Sequence, residues 1–219
     1  MSDRGAFVVV GAGPGLGAAA ARRFGHEGHP VGIVARDTAN LEKIASGLVA
    51  EGITTASAAA DLTDGKALAS AFDVLRRRLG AVEVVLFSPR PSVEWIKPVL
   101  DTAPADLESA LALNVVAAAA AVRAVAPDMR RQGSGTLLFT TGGAAVEPHP
   151  DRAVSGVAYA AESAYTRMLH DALAEDGVYA AQVTIVGPLG SGARHEPDDV
   201  AGELWRLHTA RDQPLVILR

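Results

Sequence analysis

The amino-acid sequence predicts an α/β protein: a Rossmann-type, doubly wound, seven-stranded parallel sheet with helices on both faces. Three observations predict it. Short apolar or β-branched runs alternate regularly with longer helical patterns through all 219 residues, the signature of βαβ units. A turn rich in glycine joins the first such run to the first helix. The run Val82–Phe87 is apolar apart from Glu83, as befits a strand buried on both faces. No repeat or low-complexity linker interrupts the pattern, so residues 1–219 read as one domain.

The elements follow in order. Strands are expected at Ala6–Val10, Pro30–Ala35, Thr54–Ala60, Val82–Phe87, Thr136–Thr140, Ala181–Val186 and Leu215–Leu218. The third is the weakest, because alanine is a poor strand former. The first helix runs from the glycine turn to about Phe24. The second begins near Thr38, where Thr38-Ala39-Asn40 offers a capping residue, and stops before Gly52. The others are expected at Leu68–Leu79, Leu107–Arg131, Val157–Glu175 and Asp198–His208. Right-handed crossovers turn this alternation into one doubly wound sheet.

Composition excludes several classes. Hydrophobic residues make up 49% and charged residues 21%, so the chain is neither disordered nor a coiled coil. Twenty Lys and Arg against twenty-five Asp and Glu leave a net charge of −5, without the clustered cations that nucleic acid requires. Cysteine is absent, which removes disulfides, thiolate nucleophiles and cysteine-based zinc sites. Met1-Ser2-Asp3-Arg4 leads straight into a strand without a signal-like segment, and no uninterrupted apolar run reaches a membrane span. A soluble, cytoplasmic location is expected, with no nucleic-acid or membrane partner.

Between the first strand and helix lies Gly11-Ala12-Gly13-Pro14-Gly15-Leu16-Gly17. A pyrophosphate needs backbone N–H groups at a positive helix N-terminus, and glycine wherever a side chain would block its approach. The common G-x-G-x-x-G spacing fails because its last position is Leu16. The spacing G-x-x-x-G-x-G fits at Gly11, Gly15 and Gly17. The turn therefore predicts a dinucleotide-binding domain.

Further motifs share this order. Asp61-Leu62 follows the third strand, Leu113-Asn114-Val115 lies in the fourth helix, Tyr159 opens the fifth, and Pro188 follows the sixth strand. On these residues the chain resembles the short-chain dehydrogenase/reductases over nearly its whole length. The resemblance implies contacts to the adenine from Asp61 and Leu62, an active-site asparagine at Asn114 and a catalytic tyrosine at Tyr159. It also implies cofactor contacts from Gly11, Gly15, Leu16, Gly17, Ser88 and Pro188. The substrate-capping segment, around 188–197, is short.

Ala35 ends the second strand and Arg36 follows. An arginine at this place suits the 2′-phosphate of NADP, since a guanidinium donates a bidentate fork. NADP is therefore preferred over NAD, although Asp37 lies alongside.

The resemblance also implies a lysine four residues after the tyrosine and a serine at the end of the fifth strand. The sequence departs from both. Ser163 stands at the lysine position and Gly142 at the serine position, with Thr141 the nearest hydroxyl. The chain has only three lysines: Lys43, Lys66 and Lys97. Arg167 shares the face of Tyr159 but stands eight residues along, roughly 12 Å away. Phe87-Ser88-Pro89-Arg90 aligns with the loop beside the cofactor, so Arg90 becomes a candidate replacement for the missing cation, or a contact for an anionic substrate.

Other residues are weighed the same way. His149, in the loop before Tyr159, is a candidate acid or base. His26-Glu27-Gly28-His29 has metal-like spacing but completes no zinc motif and lies away from the cofactor side, so no metal is expected. Trp95 and Trp205 read as packing residues, and Tyr165 as core or interface. The helices at 107–131 and 157–175 are apolar on more than one face, which predicts a homodimer or homotetramer through them. The leading functional expectation is an NADP(H)-dependent oxidoreductase acting on a carbonyl or alcohol of a small-molecule substrate. Tyr159, Thr141, Asn114 and Arg90 are its candidate catalytic residues. A non-redox isomerase or dehydratase on the same fold, and a catalytically silent cofactor-binding protein, are the alternatives.

Overall fold

A computed structural model describes residues 4–90 and 92–219. Met1, Ser2 and Asp3, on which the expectation of no leader partly rests, lie outside these residues. The strands are β1 (Ala6–Val10), β2 (Val31–Ala35), β3 (Thr55–Ala59), β4 (Val82–Phe87), β5 (Gly135–Gly142), β6 (Val178–Ile185) and β7 (Leu215–Leu218). The helices are α1 (Leu16–His26), α2 (Thr38–Ala50), α3 (Gly65–Leu79), α4 (Pro104–Leu111), α5 (Ala117–Gln132), α6 (Ala153–Leu173) and α7 (Pro197–Ala210). The strands form one sheet in the order β3-β2-β1-β4-β5-β6-β7, and every pairing is parallel. This is the predicted doubly wound architecture.

Each face of the sheet carries its own apolar layer. On one, Phe7, Val9, Ile33, Leu86 and Val183 meet the buried sides of α1, α2 and α7. Phe7 and Phe24 stack there with ring centroids 3.9 Å apart. On the other, Val8, Val85, Phe87, Leu137 and Phe139 meet α3 and α5. Each fully buried large side chain contributes roughly 1.5–3 kcal/mol.

Caps set several boundaries earlier than apolar periodicity does. α2 is capped by Asp37, whose carboxylate accepts from the Asn40 N–H at 3.1 Å, and not from within Thr38-Ala39-Asn40. α3 starts at Gly65 because Asp64 accepts from the N–H groups of Lys66 and Ala67. The helix expected at 107–131 runs from Pro104 to Gln132, with a π-helical turn at Ala112–Val116 between α4 and α5. By length and composition this 29-residue stretch is apolar enough to cross a membrane, with a mean hydropathy of 1.8 over its most apolar window. Its buried residues, among them Ala118, Ala121, Val125 and Met129, pack into the second layer. α6 begins at Ala153, four residues before the expected Val157, and this shift decides which side chains reach the site.

Candidate active site

The site lies beyond the carboxyl ends of β1, β4, β5 and β6, where doubly wound sheets bind ligands. Its first wall is the glycine turn. Gly11 has φ +93°, and a Cβ there would stand 2.6 Å from Pro89 Cα and 2.7 Å from the Ser88 carbonyl oxygen. The β4 loop is thus pressed against the turn. A Cβ on Gly17 would approach Ala12 Cα at 3.1 Å. Gly13 and Gly15 differ: an added Cβ meets nothing within 4 Å. Gly15 is the N-cap of α1 and supplies no side-chain cap, leaving the helix N-terminus facing open space. Gly11→Ala is expected to lower stability by more than about 1–3 kcal/mol through backbone strain and the Pro89 clash. Gly13→Ala is expected to leave stability near the parent value. Urea unfolding of both variants checks this.

At the end of β2, Arg36 is exposed. It lies close enough to Asp61 to help hold that carboxyl below its usual range, after the larger effect of hydrogen bonds from Thr63. Asp61 Oδ1 accepts from the Thr63 N–H at 2.9 Å and the Thr63 hydroxyl at 2.8 Å. Leu62 beside it is buried. Ser88 is tied to both neighbours, its N–H donating to Val10 O at 2.9 Å and its hydroxyl accepting from Thr140 at 2.7 Å.

A cavity of about 640 Å³ opens next to this cleft, lined among others by Arg90, Ser92, Trp95, Gly142, Arg152, Ser155, Tyr159 and Pro188. The segment after Pro188 folds back on itself. His195 N–H donates to Pro188 O, Gly190 N–H donates to His195 O, and the His195 ring bonds to Val186 O. Short hydrogen-bonded turns replace a long cap. On the opposite side, a Lys97–Asp106 ion pair at 2.9 Å ties the segment bearing Trp95 to α4.

Tyr159 is partly buried, and burial pushes its hydroxyl up to about 12; the Glu162 carboxyl adds to the rise and Arg152 opposes it. Ser163 lends it no charge. Its hydroxyl donates to Tyr159 O at 2.8 Å and accepts from Gln182 Nε2 at 2.8 Å. Arg167 lines a separate cavity of about 180 Å³ with Ser163 and Gln182.

Thr141 is a correction. Its side chain is buried, bonded to the Thr184 hydroxyl at 3.0 Å and to Gln182 Nε2 at 2.7 Å, and it does not line the cavity. Successive strand residues face opposite sides. Gly142 is the residue turned toward Tyr159, where a Cβ would stand 3.1 Å from the ring. Ser155, one helical turn earlier on α6, brings a hydroxyl to the cavity wall that Tyr159 shares, donating to Arg152 O at 3.2 Å. A helix start at Val157, expected from the sequence, leaves Ser155 and Arg152 outside the helix, whereas α6 begins at Ala153. Their four- and seven-residue spacing from Tyr159 on one helix was the available signal.

Asn114 sits buried in the π-turn, donating to Ala110 O at 2.9 Å. Glu162, one turn after Tyr159, is fully buried, and neither carboxyl oxygen has a hydrogen-bond partner among the described residues. Burial pushes its carboxyl well above the usual range. Gln182 Oε1 is unpartnered as well.

The remaining histidines lie elsewhere. His149 accepts from the Asp151 N–H at 3.2 Å, capping a short turn. His26 pairs with Glu51 on the surface. His29 meets Glu83 and His208, with ligand-type atoms within 4.8 Å of one another, at the amino-terminal side of the sheet. Hydrogen bonds occupy that group: His29 Nδ1 with Gly5 O at 2.8 Å, and His208 Nδ1 with the Thr136 hydroxyl at 2.9 Å. Burial lowers both imidazoles, His208 to about 4.

The sheet order, the glycine turn over a helix N-terminus and the tyrosine-lined cavity define a dinucleotide-binding α/β protein. Residues 6–195 match the family described as short chain dehydrogenase. The chain belongs to the short-chain dehydrogenase family, a family of oxidoreductases that bind NAD(P). It is similar to a fatty acyl-CoA reductase of Mycobacterium tuberculosis, 28% identical over 96% of this chain and 74% of that one. It is also similar to a 2,3-dihydro-2,3-dihydroxybenzoate dehydrogenase of Bacillus subtilis, 27% identical over 94% and 75%. Among solved structures, a metagenomic short-chain oxidoreductase in complex with NADP superposes with a TM-score of 0.83 and 28% identity, covering 100% of this chain and 97% of the other.

Proposed function

We propose that the protein is an NADP(H)-dependent oxidoreductase that interconverts a carbonyl and an alcohol on a small molecule. One observation carries the reading: the open glycine turn after β1 and the cavity holding Tyr159 lie at the same, carboxyl, end of the parallel sheet, with the β4 loop between them. Room above Gly13 and Gly15, at an α1 N-terminus without a side-chain cap, fits a pyrophosphate. Gly11, Gly15, Leu16 and Gly17 would hold it through the backbone. Asp61 and Leu62 would flank the adenine, and Ser88 and Pro188 the nicotinamide end. The nicotinamide, when bound, supplies or accepts the hydride at the substrate carbon. Tyr159 holds the matching proton at the substrate oxygen, and Ser155 offers that oxygen a hydroxyl. Asn114 is held in the π-turn by its bond to Ala110 O, and Arg90 contributes charge from the β4 loop.

NADP over NAD is supported by Arg36 standing exposed, while the carboxylate of Asp37 is spent on capping α2. It is also supported by the NADP complex of the related oxidoreductase. Self-association as a homodimer or homotetramer is part of the proposal. Its support is the exposed apolar Val116, Val157 and Met168 on the helices expected to pair. A catalytically silent cofactor-binding protein is the second reading, favoured by Ser163 bonding to Gln182 where a cation was expected. Calorimetry with NADPH and NADH is the test. NADPH is expected to bind at least about ten-fold more tightly, and Arg36→Ala to remove that preference. Equal binding, or a preference unmoved by Arg36→Ala, overturns the NADP assignment. NADPH binding without turnover on any carbonyl in a broad panel favours the silent reading.

A further inference from the structure

The cavity beside Tyr159 is electrically one-sided. Arg90 and Arg152 line it, and among the described residues no Asp or Glu does. Among the described residues neither guanidinium has a hydrogen-bond or ion-pair partner. Seven arginines elsewhere are paired with carboxylates, Arg22, Arg23, Arg76, Arg130, Arg131, Arg206 and Arg219, whereas Arg36, Arg77, Arg78, Arg123, Arg167 and Arg194, like Arg90 and Arg152, are not.

Arg152 also breaks a local rule. It is the N-cap of α6, a 21-residue helix. N-caps favour side chains that accept hydrogen bonds, and the helix dipole favours negative charge there. Arg152 can only donate, and it adds a positive charge to a positive helix end. No side chain caps α6, and its first turn holds no acidic residue. By contrast α2 and α3 are capped by Asp37 and Asp64. Arg152 and Ser155, whose hydroxyl donates to Arg152 O at 3.2 Å, thus line the cavity at the start of α6, with Arg90 on the β4 side. A locally unfavourable choice at a ligand cavity is what a binding role would impose.

We propose that this cavity takes substrates bearing an anionic group, a carboxylate or a phosphate, held by Arg152 and the N-terminus of α6 with Arg90 on the β4 side. The proposal takes from the preceding reading only that the cavity is the substrate site. A planar guanidinium matches either anion in a bidentate fork. Anchoring the anion at the start of α6 places the rest of a small substrate within reach of Tyr159, which lies seven residues along the same helix.

The test uses binding as well as turnover. Trp95 lines the cavity, so in a Trp205→Phe protein its fluorescence reports ligands directly. The probes are 4-(hydroxymethyl)benzoate, 4-(hydroxymethyl)phenyl phosphate and the benzoate's methyl ester, each titrated with NADP⁺ present. At least one anion is expected to bind about ten-fold or more tightly than the ester, weakening with added salt. Which of the two binds more tightly identifies the anion class. Arg152→Ser is expected to reduce that preference to about three-fold or less and to raise the urea midpoint, because serine restores a cap. Arg90→Ala reduces the preference without raising the midpoint. Equal binding of acid and ester, no binding of either anion, or a preference that survives Arg152→Ser overturns the proposal. Turnover of the matching aldehydes with NADPH separates the two readings. An anion preference without turnover sinks the redox reading alone. Equal turnover of charged and uncharged aldehydes sinks the anion site alone.

Discussion

Tyr159→Phe lowers turnover by about 10²–10⁴-fold, the usual contribution of a positioned proton donor, while NADPH affinity stays within about two-fold of the parent. The substitution removes one hydroxyl from the cavity wall and leaves the ring that faces Gly142. The pH dependence follows from the environment of that hydroxyl. Burial raises its pKa to about 12, so at pH 7 the ionised fraction is on the order of 10⁻⁵. Carbonyl reduction needs the protonated phenol and is expected to be level between about pH 6 and 9. Alcohol oxidation needs the phenolate and is expected to rise about ten-fold per pH unit over the same range. Rates measured in both directions across that range check this. An oxidation rate that levels off by neutrality shows that bound ligands bring the phenol down, and the argument from burial then fails.

Glu162→Gln changes stability with the opposite pH dependence. The unfolded carboxyl titrates near 4.5, and burial holds the folded one well above that. Below about pH 4.5 both states keep the proton and the carboxyl costs the fold no ionisation energy. As pH rises past that value the unfolded state ionises first. Stability is then lost by about 1.4 kcal/mol per pH unit until the folded carboxyl also ionises. Glutamine, close in shape to the neutral acid, does not titrate. The variant is therefore expected to match the parent near pH 4 and to exceed it increasingly toward pH 8. Urea unfolding at pH 4, 6 and 8 checks this, and a difference that does not grow with pH refutes it. Glu162→Leu, which removes two unpartnered buried oxygens, is expected to stabilise even near pH 4.

These two residues show where legibility ended. Tyr159 was readable as a candidate because its place in the chain order matches a family pattern. Glu162 was not, because nothing in Tyr159-Ala160-Ala161-Glu162-Ser163 says which face of the helix is dry. Thr141 and Gly142 make the same point on a strand. Choosing between them needed the facing of β5 against α6, and a shift of one residue reverses that facing. Arg152 and Ser155 were hidden by a helix boundary. Apolar periodicity weakens in the first turn, and an arginine N-cap gives no start signal.

What the sequence by itself determined was the parallel α/β order, the glycine turn at the first helix and the sites of Arg36, Asp61 and Tyr159. The strand order and the turn rest on contacts close along the chain: apolar runs, turn chemistry, and a helix N-terminus built within a few residues of the strand before it; Asp61 and Tyr159 rest on their match to a family pattern. The tertiary structure alone decided that Arg90 and Arg152 share one cavity with Tyr159, that Ser163 is tied to Gln182, and that Glu162 is sealed away from solvent. Burial and electrostatic environment depend on which distant segments pack together, and in this fold β4, β5, β6 and α6 meet only when the sheet has closed.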